Sequence, residues 1–303
     1  MKTLNFMKFR KITLVFSFLI IAIGITTGFV KGFKFDIDFK GGTTIQADLN
    51  EEFDNNKVSD LVKNITGSVP LIQKMTGGKN MVSITMEPVP TEVSDRVVSK
   101  LKTVYQTMAE PSTKNIQPSY GKELVESALL ALAVAIVLML LYIGIRFKSL
   151  GFNAALTAIL ALVHDALVII SIYAIFQLPI NSTFVAVLLT IIGYSINDTI
   201  IVYDRIRENK RKANRSLDLK DTINLSLTQT LRRTIYTSFT TIIAILIVYI
   251  FAYFNNQTVL KEFSLPLIIG IITGTYSSIF IASSLLYSFD NISKKIFKKG
   301  KKK

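Results

Sequence analysis

The chain has 303 residues, 50% of them apolar, and a mean hydropathy of +0.44. This is too apolar for a soluble globular protein and is typical of a polytopic membrane protein. The net charge of +14 is compatible with nucleic-acid binding. The basic residues, however, lie between and after the apolar runs, so we expect no nucleic-acid partner. The absence of cysteine and the single histidine exclude disulfides, thiol nucleophiles and a multi-histidine metal site, and we expect no metal.

The first apolar run extends from Ile12 to Val30 and follows a basic segment. Its length of about 19 residues and the lack of an A-x-A-like cleavage site favour an uncleaved membrane span. Gly24 and Gly28 have the GxxxG spacing that favours close helix packing in lipid. Residues 1–30 are therefore predicted to form a cytoplasmic amino terminus and the first transmembrane helix.

Residues 31–122 have no long apolar run and alternate between strand and helix patterns. The predicted elements are strand 43–49, helix 56–65, strand 69–76, turn 77–79, strand 80–86, helix 91–108 and strand 115–119. This βαββαβ order predicts a ferredoxin-like α+β domain. Between Lys31 and Tyr120 there are 11 basic and 11 acidic residues, and a neutral domain is readily translocated. We therefore place it outside the cytoplasm.

Residues 123–289 are predicted to contain five more transmembrane helices, which gives six in total. The spans are residues 124–145, 151–176, 179–203, 234–254 and 263–289, with a cytoplasmic connector at 204–233. Basic residues concentrate at the amino terminus, at 146–148, in the connector and in the tail, residues 290–303. The loops 177–181 and 255–261 contain only Lys261. The positive-inside rule therefore places both termini in the cytoplasm.

Within the connector, residues 216–231 are predicted to form a short amphipathic helix. Its apolar stripe consists of Leu219, Ile223, Leu227 and Leu231. With basic neighbours, such a helix lies at the cytoplasmic interface and serves as a connector. The basic tail is predicted to fix orientation and to contact anionic membrane lipid.

The fourth span carries Asp198, sixteen residues after Ser182. At 1.5 Å per residue this is about 24 Å into the helix, inside a hydrocarbon core about 30 Å thick and nearer its charged end. A charge there costs at least about 2.5 kcal/mol unless it is paired, so intramembrane ionisable groups are functional by default. Arg232 and Arg233 come directly before the fifth span and lie at a similar depth, which allows an ion pair.

Polar residues recur at helical spacing in three spans. They are Asn153, Thr157, His164, Asp165 and Ser171 in the third span, Thr183, Thr190, Tyr194, Asn197 and Asp198 in the fourth, and Arg233, Thr234, Thr237, Ser238 and Thr241 in the fifth. Single hydroxyl stripes usually only join helices. Together with two carboxylates, an imidazole and an arginine, they predict a polar bundle interior. His164 and Asp165 are predicted to lie about 13 Å from Asp198, with water between them.

A proton that enters near His164 and Asp165 is predicted to neutralise Asp198, release Arg233 and let the bundle rearrange. One charge moved through about 100 mV supplies about 2.3 kcal/mol, and one pH unit adds about 1.4 kcal/mol. These energies bias a conformational change but do not perform bond chemistry, so we expect no enzyme. We expect no cofactor beyond a translocated H⁺ or Na⁺, and a buried carboxylate with hydroxyl neighbours suits either ion.

Four segments together resemble the SecD/SecF family of protein-export membrane proteins, which is part of the resistance-nodulation-division superfamily. They are FDIDFKGGT, ALVHDALVI, GYSINDTIIVYDRIREN and TLRRTIYTSFTT. The resemblance covers nearly the whole chain and implies a heteromeric complex with SecD beside the SecYEG channel in the bacterial plasma membrane. It implies that this complex uses a proton or sodium gradient to complete the export of unfolded polypeptides.

The resemblance also assigns roles to single residues. It implies that Asp198 carries the proton and that Arg233 is its partner. Arg232 stands where the family usually has a small or polar residue, so either guanidinium can face Asp198.

The external motif of the family is present with one departure. Asp38, Gly41, Gly42 and Thr43 are retained, whereas Asp36 replaces a family glycine. For the two glycines, a tight turn between the first span and the external domain is the simpler interpretation.

Two other function classes remain open. A stand-alone ion-coupled exporter of small molecules or lipids from the same superfamily would usually have twice as many spans and two external domains. An intramembrane hydrolase would need a Ser–His pair, for which Ser171 and His164 are the candidates. No GxSxG elbow precedes Ser171.

Overall fold

The computed structural model describes residues 3–75, 80–147, 150, 152–212, 217–255 and 257–300, so the predicted turn at 77–79 lies outside the described residues. In chain order the elements are α1 (Arg10–Lys31), α2 (Ile37–Lys40), β1 (Gly42–Asp48), α3 (Asn55–Thr66), β2 (Leu71–Lys74), β3 (Met81–Met86), α4 (Thr91–Val104), β4 (Ser112–Ile116), α5 (Pro118–Arg146), α6 (Phe152–Ile175), α7 (Ser182–Lys212), α8 (Leu219–Phe254), α9 (Thr258–Tyr276) and α10 (Ser283–Gly300). A 3₁₀ turn, Phe6–Lys8, precedes α1, and a π-helical segment, Ser277–Ala282, joins α9 to α10.

Within the described ranges, six helices are long and apolar enough to cross a membrane. They are α1, α5, α6, α7, α8 and the continuous helix Thr258–Lys294, which contains α9, the π segment and part of α10. The predicted number of spans is thereby confirmed, and the chain is a multi-pass membrane protein. We call the end of the bundle that carries the small domain the sheet end. The opposite end, where α7 finishes in Lys210, Arg211 and Lys212, is the basic end.

The centre of the bundle is formed by α6, α7 and α9. Small residues on α6, among them Ala154, Ala158 and Ala161, are fully buried and let neighbouring helices approach closely. On α9, Gly270 lies so close to α7 that a Cβ would be 2.2 Å from Cδ1 of Ile191. These contacts fix the positions of the polar groups that the same helices carry.

Helices α1 and α5 lie at the periphery of the bundle. Helix α1 meets α6 at Gly24, where a Cβ would be 2.1 Å from Cβ of Ser171. Gly28, the other half of the predicted GxxxG pair, faces the ring of Phe33 instead. Helix α5 has only two buried residues, and its exposed side chains are mostly apolar, as expected where a helix faces lipid.

The segment before the fifth span is not a separate interfacial helix, so the prediction of a short amphipathic helix at 216–231 is wrong. Helix α8 runs unbroken through the described part of that segment. Asn209 of α7 donates to the hydroxyl of Ser226 at 2.9 Å, and the backbone N–H of Met7 donates to Asn224 at 3.1 Å. These partners satisfy the polar side chains internally, so the segment packs in the bundle rather than at a lipid surface.

The small domain between α1 and α5 contains a four-stranded antiparallel sheet with the strand order β2–β3–β1–β4. Helices α3 and α4 cover one face of the sheet. Ile45 of β1 is paired with Ile84 of β3, and both belong to one core cluster with Val58 of α3 and Leu101 of α4. The other face of the sheet lines a cleft of about 800 Å³ at the sheet end of the bundle.

Candidate functional site

Asp198 lies at the middle of α7 and is 1% exposed. Sixteen residues separate it from Ser182 and fourteen from Lys212. Its Oδ2 atom is buried and has no hydrogen-bond partner among the described residues. The guanidinium of Arg233 and the hydroxyl of Ser238, both on α8, lie near the carboxyl. Asp198 forms no salt bridge with the residues that the structure describes, so the carboxyl keeps the capacity to bind a proton or a small cation.

The two arginines of α8 lie in different surroundings. Arg233 shares the lining of one cavity with Asn197, the residue before Asp198. Arg232 lies over the ring of Tyr236, with the guanidinium carbon 5.3 Å from the ring centroid. Arg233 is therefore the arginine on the Asp198 side of α8.

A polar cavity of about 980 Å³ opens between α7 and α8 at the basic end. Its lining includes Asn197, Asp204, Arg205, Glu208, Gln229 and Arg233. A cavity of this size with polar walls holds water. Asn197 is itself exposed, so the cavity extends to the residue next to Asp198.

Asp165 is the centre of a second buried polar cluster. Its Oδ2 accepts hydrogen bonds from the hydroxyls of Ser195 on α7, at 2.5 Å, and Ser277 in the π segment, at 2.8 Å. Its Oδ1 is 3.0 Å from Nδ1 of His164. One carboxylate thus joins α6, α7 and the last span. The other ring nitrogen of His164, Nε2, is buried without a partner among the described side chains.

Helices α6 and α7 run antiparallel in a register that brings the two clusters close. The hydroxyl of Thr157 is 2.9 Å from that of Tyr203, and Asp165 bonds Ser195. In this register Asp198 is three residues from Ser195, a rise of about 4.5 Å. The predicted separation of about 13 Å along the bundle axis is therefore wrong. The reason is that α7 continues to its basic end at residue 212, so Asp198 is central in the helix.

The predicted polar face of α8 is split between two environments. Thr234 and Ser238 are buried, and Ser238 is 2.6 Å from the hydroxyl of Thr275. Thr237 is exposed and Thr241 is half-buried. Tyr194 of α7 reaches Thr241 with a hydrogen bond of 3.3 Å, so Thr237 is the member that stays apart from the cluster.

The external motif lies where α2 leads into β1. Gly41 ends α2 at φ +76°, and a Cβ there would be 2.8 Å from Cα of Pro118. Gly42 begins β1 at φ +153°. This geometry fits the expected tight turn, since other residues are strained at such angles. Thr43 and Asp38 on either side are buried.

Sequence reasoning did not identify Ser195, Ser277 or the π segment. Ser277 and Ser278 are adjacent hydroxyls inside an otherwise apolar span, which was the available signal. Nothing in the sequence marked Lys114 or Ser182, which contact Asp38 through a fold that brings distant segments together.

The described residues give no support to two other site types. Ser171 lies against Gly24 of α1, and His164 makes its side-chain bond to Asp165, so these two residues form no Ser–His pair. In the part of the chain that the structure describes, no three carboxylates or imidazoles are grouped as metal ligands.

Similar proteins place the chain in a family. Residues 96–291 match the family described as Protein export membrane protein SecD/SecF, C-terminal. Protein translocase subunit SecF of Haemophilus influenzae is 35% identical over 286 residues, which cover 93% of this chain and 85% of that protein. The subunit of the same name in Dictyoglomus turgidum is 36% identical, over 97% of this chain and 99% of that protein.

A longer relative and a solved structure extend the comparison. SecDF of Bacillus subtilis is 33% identical over 93% of this chain, which spans 37% of that protein. The crystal structure of SecDF, a translocon-associated membrane protein from Thermus thermophilus, matches with a TM-score of 0.82 and 30% identity. The match covers 96% of this chain and 39% of that one. The chain belongs to the SecD/SecF family of protein-export membrane proteins.

Proposed function

We propose that the chain is a translocase subunit that, together with SecD, uses a proton or sodium gradient to drive a late step of protein export. The observation that carries the proposal is the Asp198 carboxyl, buried at the middle of α7 with one oxygen that has no hydrogen-bond partner among the described residues. A polar cavity with Arg233 in its wall reaches the neighbouring residue. A buried acid beside both water and a guanidinium is suited to gain and lose a cation.

The gain of a cation at Asp198 changes the balance of charge on α7 and α8. While Asp198 is charged, Arg233 is attracted to it. After neutralisation, Arg233 is released to the water of the cavity. The Asp165 cluster lies about one helical turn away and holds α7 to α6 and to the last span. A shift of α7 therefore acts on three helices at once, which is what an ion-driven conformational change requires.

We propose that the basic end of the bundle faces the cytoplasm, together with both termini. Basic residues at the ends of α5 and α7 support this orientation. The small domain is then outside the cytoplasm. Its strand order and its two helices on one face support a ferredoxin-like, split βαβ arrangement.

The proposed partner is SecD. The SecYEG channel and an unfolded exported polypeptide are further partners that the proposed function requires. SecDF relatives carry a SecF-like region within a longer chain, which supports a SecD contact. Helix α7, although central, exposes a stripe of small and polar residues: Ala186, Thr190, Gly193 and Asn197. Polar groups at this depth are better covered by another helix than by lipid.

The test is Asp198→Asn in membrane vesicles that contain SecD and SecYEG. The amide keeps the shape of the side chain but has no charge to gain or lose, so the gradient-dependent part of translocation should disappear while ATP-driven translocation continues. Asp221→Asn is the matched control, because Asp221 is an exposed carboxylate of α8. Full gradient dependence in Asp198→Asn would overturn the proposal.

A second experiment separates this function from that of a stand-alone exporter. Gentle purification from the native membrane should recover a SecD-like protein bound to the chain. Recovery of a homo-oligomer alone would favour the exporter.

A further inference from the structure

Asp38 is a buried carboxylate at the joint between the small domain and the bundle, 2% exposed. It lies in α2, the short helix between α1 and the sheet. Its two oxygens contact different parts of the molecule. Oδ1 accepts from Nζ of Lys114, in β4, at 2.6 Å. Oδ2 accepts from the backbone N–H of Ser182 at 2.9 Å and from its hydroxyl at 2.5 Å.

The contact is an ionic one at neutral pH. Burial tends to raise the pKa of Asp38, but the bonds from Lys114 and Ser182 outweigh it and hold the pKa below its usual value of 3.8. Ser182 is the first residue of α7. A negative charge at this position is also stabilised by the free N–H groups of the first helical turn.

The start of α7 is held to the same segment by backbone bonds. The N–H of Asp36 donates to the carbonyl of Ile180 at 2.9 Å, and the N–H of Ile180 donates to the carbonyl of Lys34 at 2.8 Å. Asn181 accepts from the N–H of Phe184 and donates to Glu262 of α9 at 2.6 Å. The backbone bonds join α7 to the chain after α1, whereas Lys114 adds a link to the sheet itself.

We propose that Asp38 is a positioning residue that ties the sheet of the small domain, through Lys114, to the first turn of α7. Asp198 is on the same helix, sixteen residues from Ser182, which is about 24 Å along the helix axis. The Asp38 carboxylate thus adds a direct route, beside the backbone bonds, by which a displacement of α7 at Asp198 is passed to the sheet and a movement of the sheet is passed back. This inference rests on the proposed function only in taking the displacement of α7 to be ion-driven. The contact between the sheet and α7 does not depend on that function.

The tie can be tested by measuring a distance between the small domain and the bundle. The chain has no native cysteine, so spin labels can be placed at Lys63→Cys, exposed on α3, and Phe176→Cys, exposed after α6. In the full chain purified from its membrane with whatever partners it retains, electron paramagnetic resonance should give one narrow distance distribution. Lys114→Met should broaden it at least about twofold, and Lys114→Arg should restore it.

Lys102→Met is the matched control. It removes an exposed ion pair, from Lys102 to Glu110 at 2.7 Å, that lies wholly within the small domain. We expect it to leave the distance distribution unchanged. Since the Lys114 side chain is 55% exposed, its replacement by Met should not unfold the domain. A distribution in Lys114→Met that matches the parent chain would overturn the tie.

The same variants test whether the contact couples the ion gradient to translocation. The ratio of translocation rates with and without an ion gradient should fall about fivefold or more in Lys114→Met, and the rate without a gradient should stay constant. Lys114→Arg should recover the ratio. A broadened distance distribution with an unchanged ratio would overturn the coupling. If Asp198→Asn keeps its full ratio, the proposed function is wrong, and the distance measurement still decides whether the tie exists.

Discussion

Removal of the Asp165 carboxylate is expected to destabilise the bundle, because it leaves buried donors without an acceptor. In Asp165→Ala, the hydroxyl of Ser195, which donates at 2.5 Å, and Nδ1 of His164, at 3.0 Å, lose their partner. Ser277 keeps a second acceptor, the carbonyl of Gly274 at 3.1 Å. Each buried polar group left unpaired costs about 1–3 kcal/mol, so the two together lower the free energy of unfolding by about 2–6 kcal/mol.

The measurement is the free energy of unfolding in mixed micelles, obtained by titration with SDS and followed by helical circular dichroism. Asp165→Asn is the matched variant, because its amide oxygen still accepts from Ser195, and it should lose about half as much stability or less. Asp221→Ala, at an exposed position, should unfold like the parent chain. If Asp165→Ala also unfolds at the parent's SDS fraction, the cluster does not hold the three helices together and the reasoning fails.

The remaining predictions concern α8, α1 and the joint. Arg233→Gln should remove gradient-dependent translocation while Arg232→Gln retains it, since only Arg233 lines the cavity beside Asp198; equal losses in the same vesicle assay would contradict this. Gly24→Leu should cost about 1–3 kcal/mol in SDS unfolding, because its Cβ would overlap α6, whereas Gly144→Ala, with nothing within 4 Å, should cost nothing. The Asp38 contact should persist from about pH 8 to about pH 5, because the pKa of Asp38 is lowered and the carboxylate stays charged until the pH falls through that pKa. A spin-label distance distribution that broadens between these two pH values would refute the prediction.

The number of spans and the presence of a sheet between the first two spans could be predicted from the sequence, because both depend on local patterns. Long apolar runs mark the six helices. In β1, Ile45 and Ala47 alternate with half-buried residues, which is the period of a strand with one covered face. Contacts between distant segments have no such pattern: Asp165 and Ser195 are 30 residues apart. Their pairing requires the antiparallel register of two helices, which a single sequence does not specify.

The level of Asp198 relative to Asp165 could not be predicted, because the charged residues after Tyr203 were taken as the end of the fourth helix. The charged residues after Tyr203 instead continue α7 and pair with neighbours. Asp204 contacts Arg146 and Arg207, and Arg205 donates to Gln229 of α8 at 2.7 Å. Because these pairs satisfy the polar side chains, α7 and α8 extend as one packed unit well past the apolar run.

The π-helical turn in the last span allows a residue of this helix to rotate about the helix axis while the rest of the helix stays in place. A π turn holds one residue more than an α turn, and the hydroxyl of Ser283 here reaches back five positions to the carbonyl of Ser278. When such a wide turn migrates by one position, the residue that it passes swings about 100° around the axis, while the helix on either side stays in place. Ser277 is the first residue of the π segment, so such a migration would turn its hydroxyl away from the carboxylate of Asp165 without any sliding of the span through the membrane.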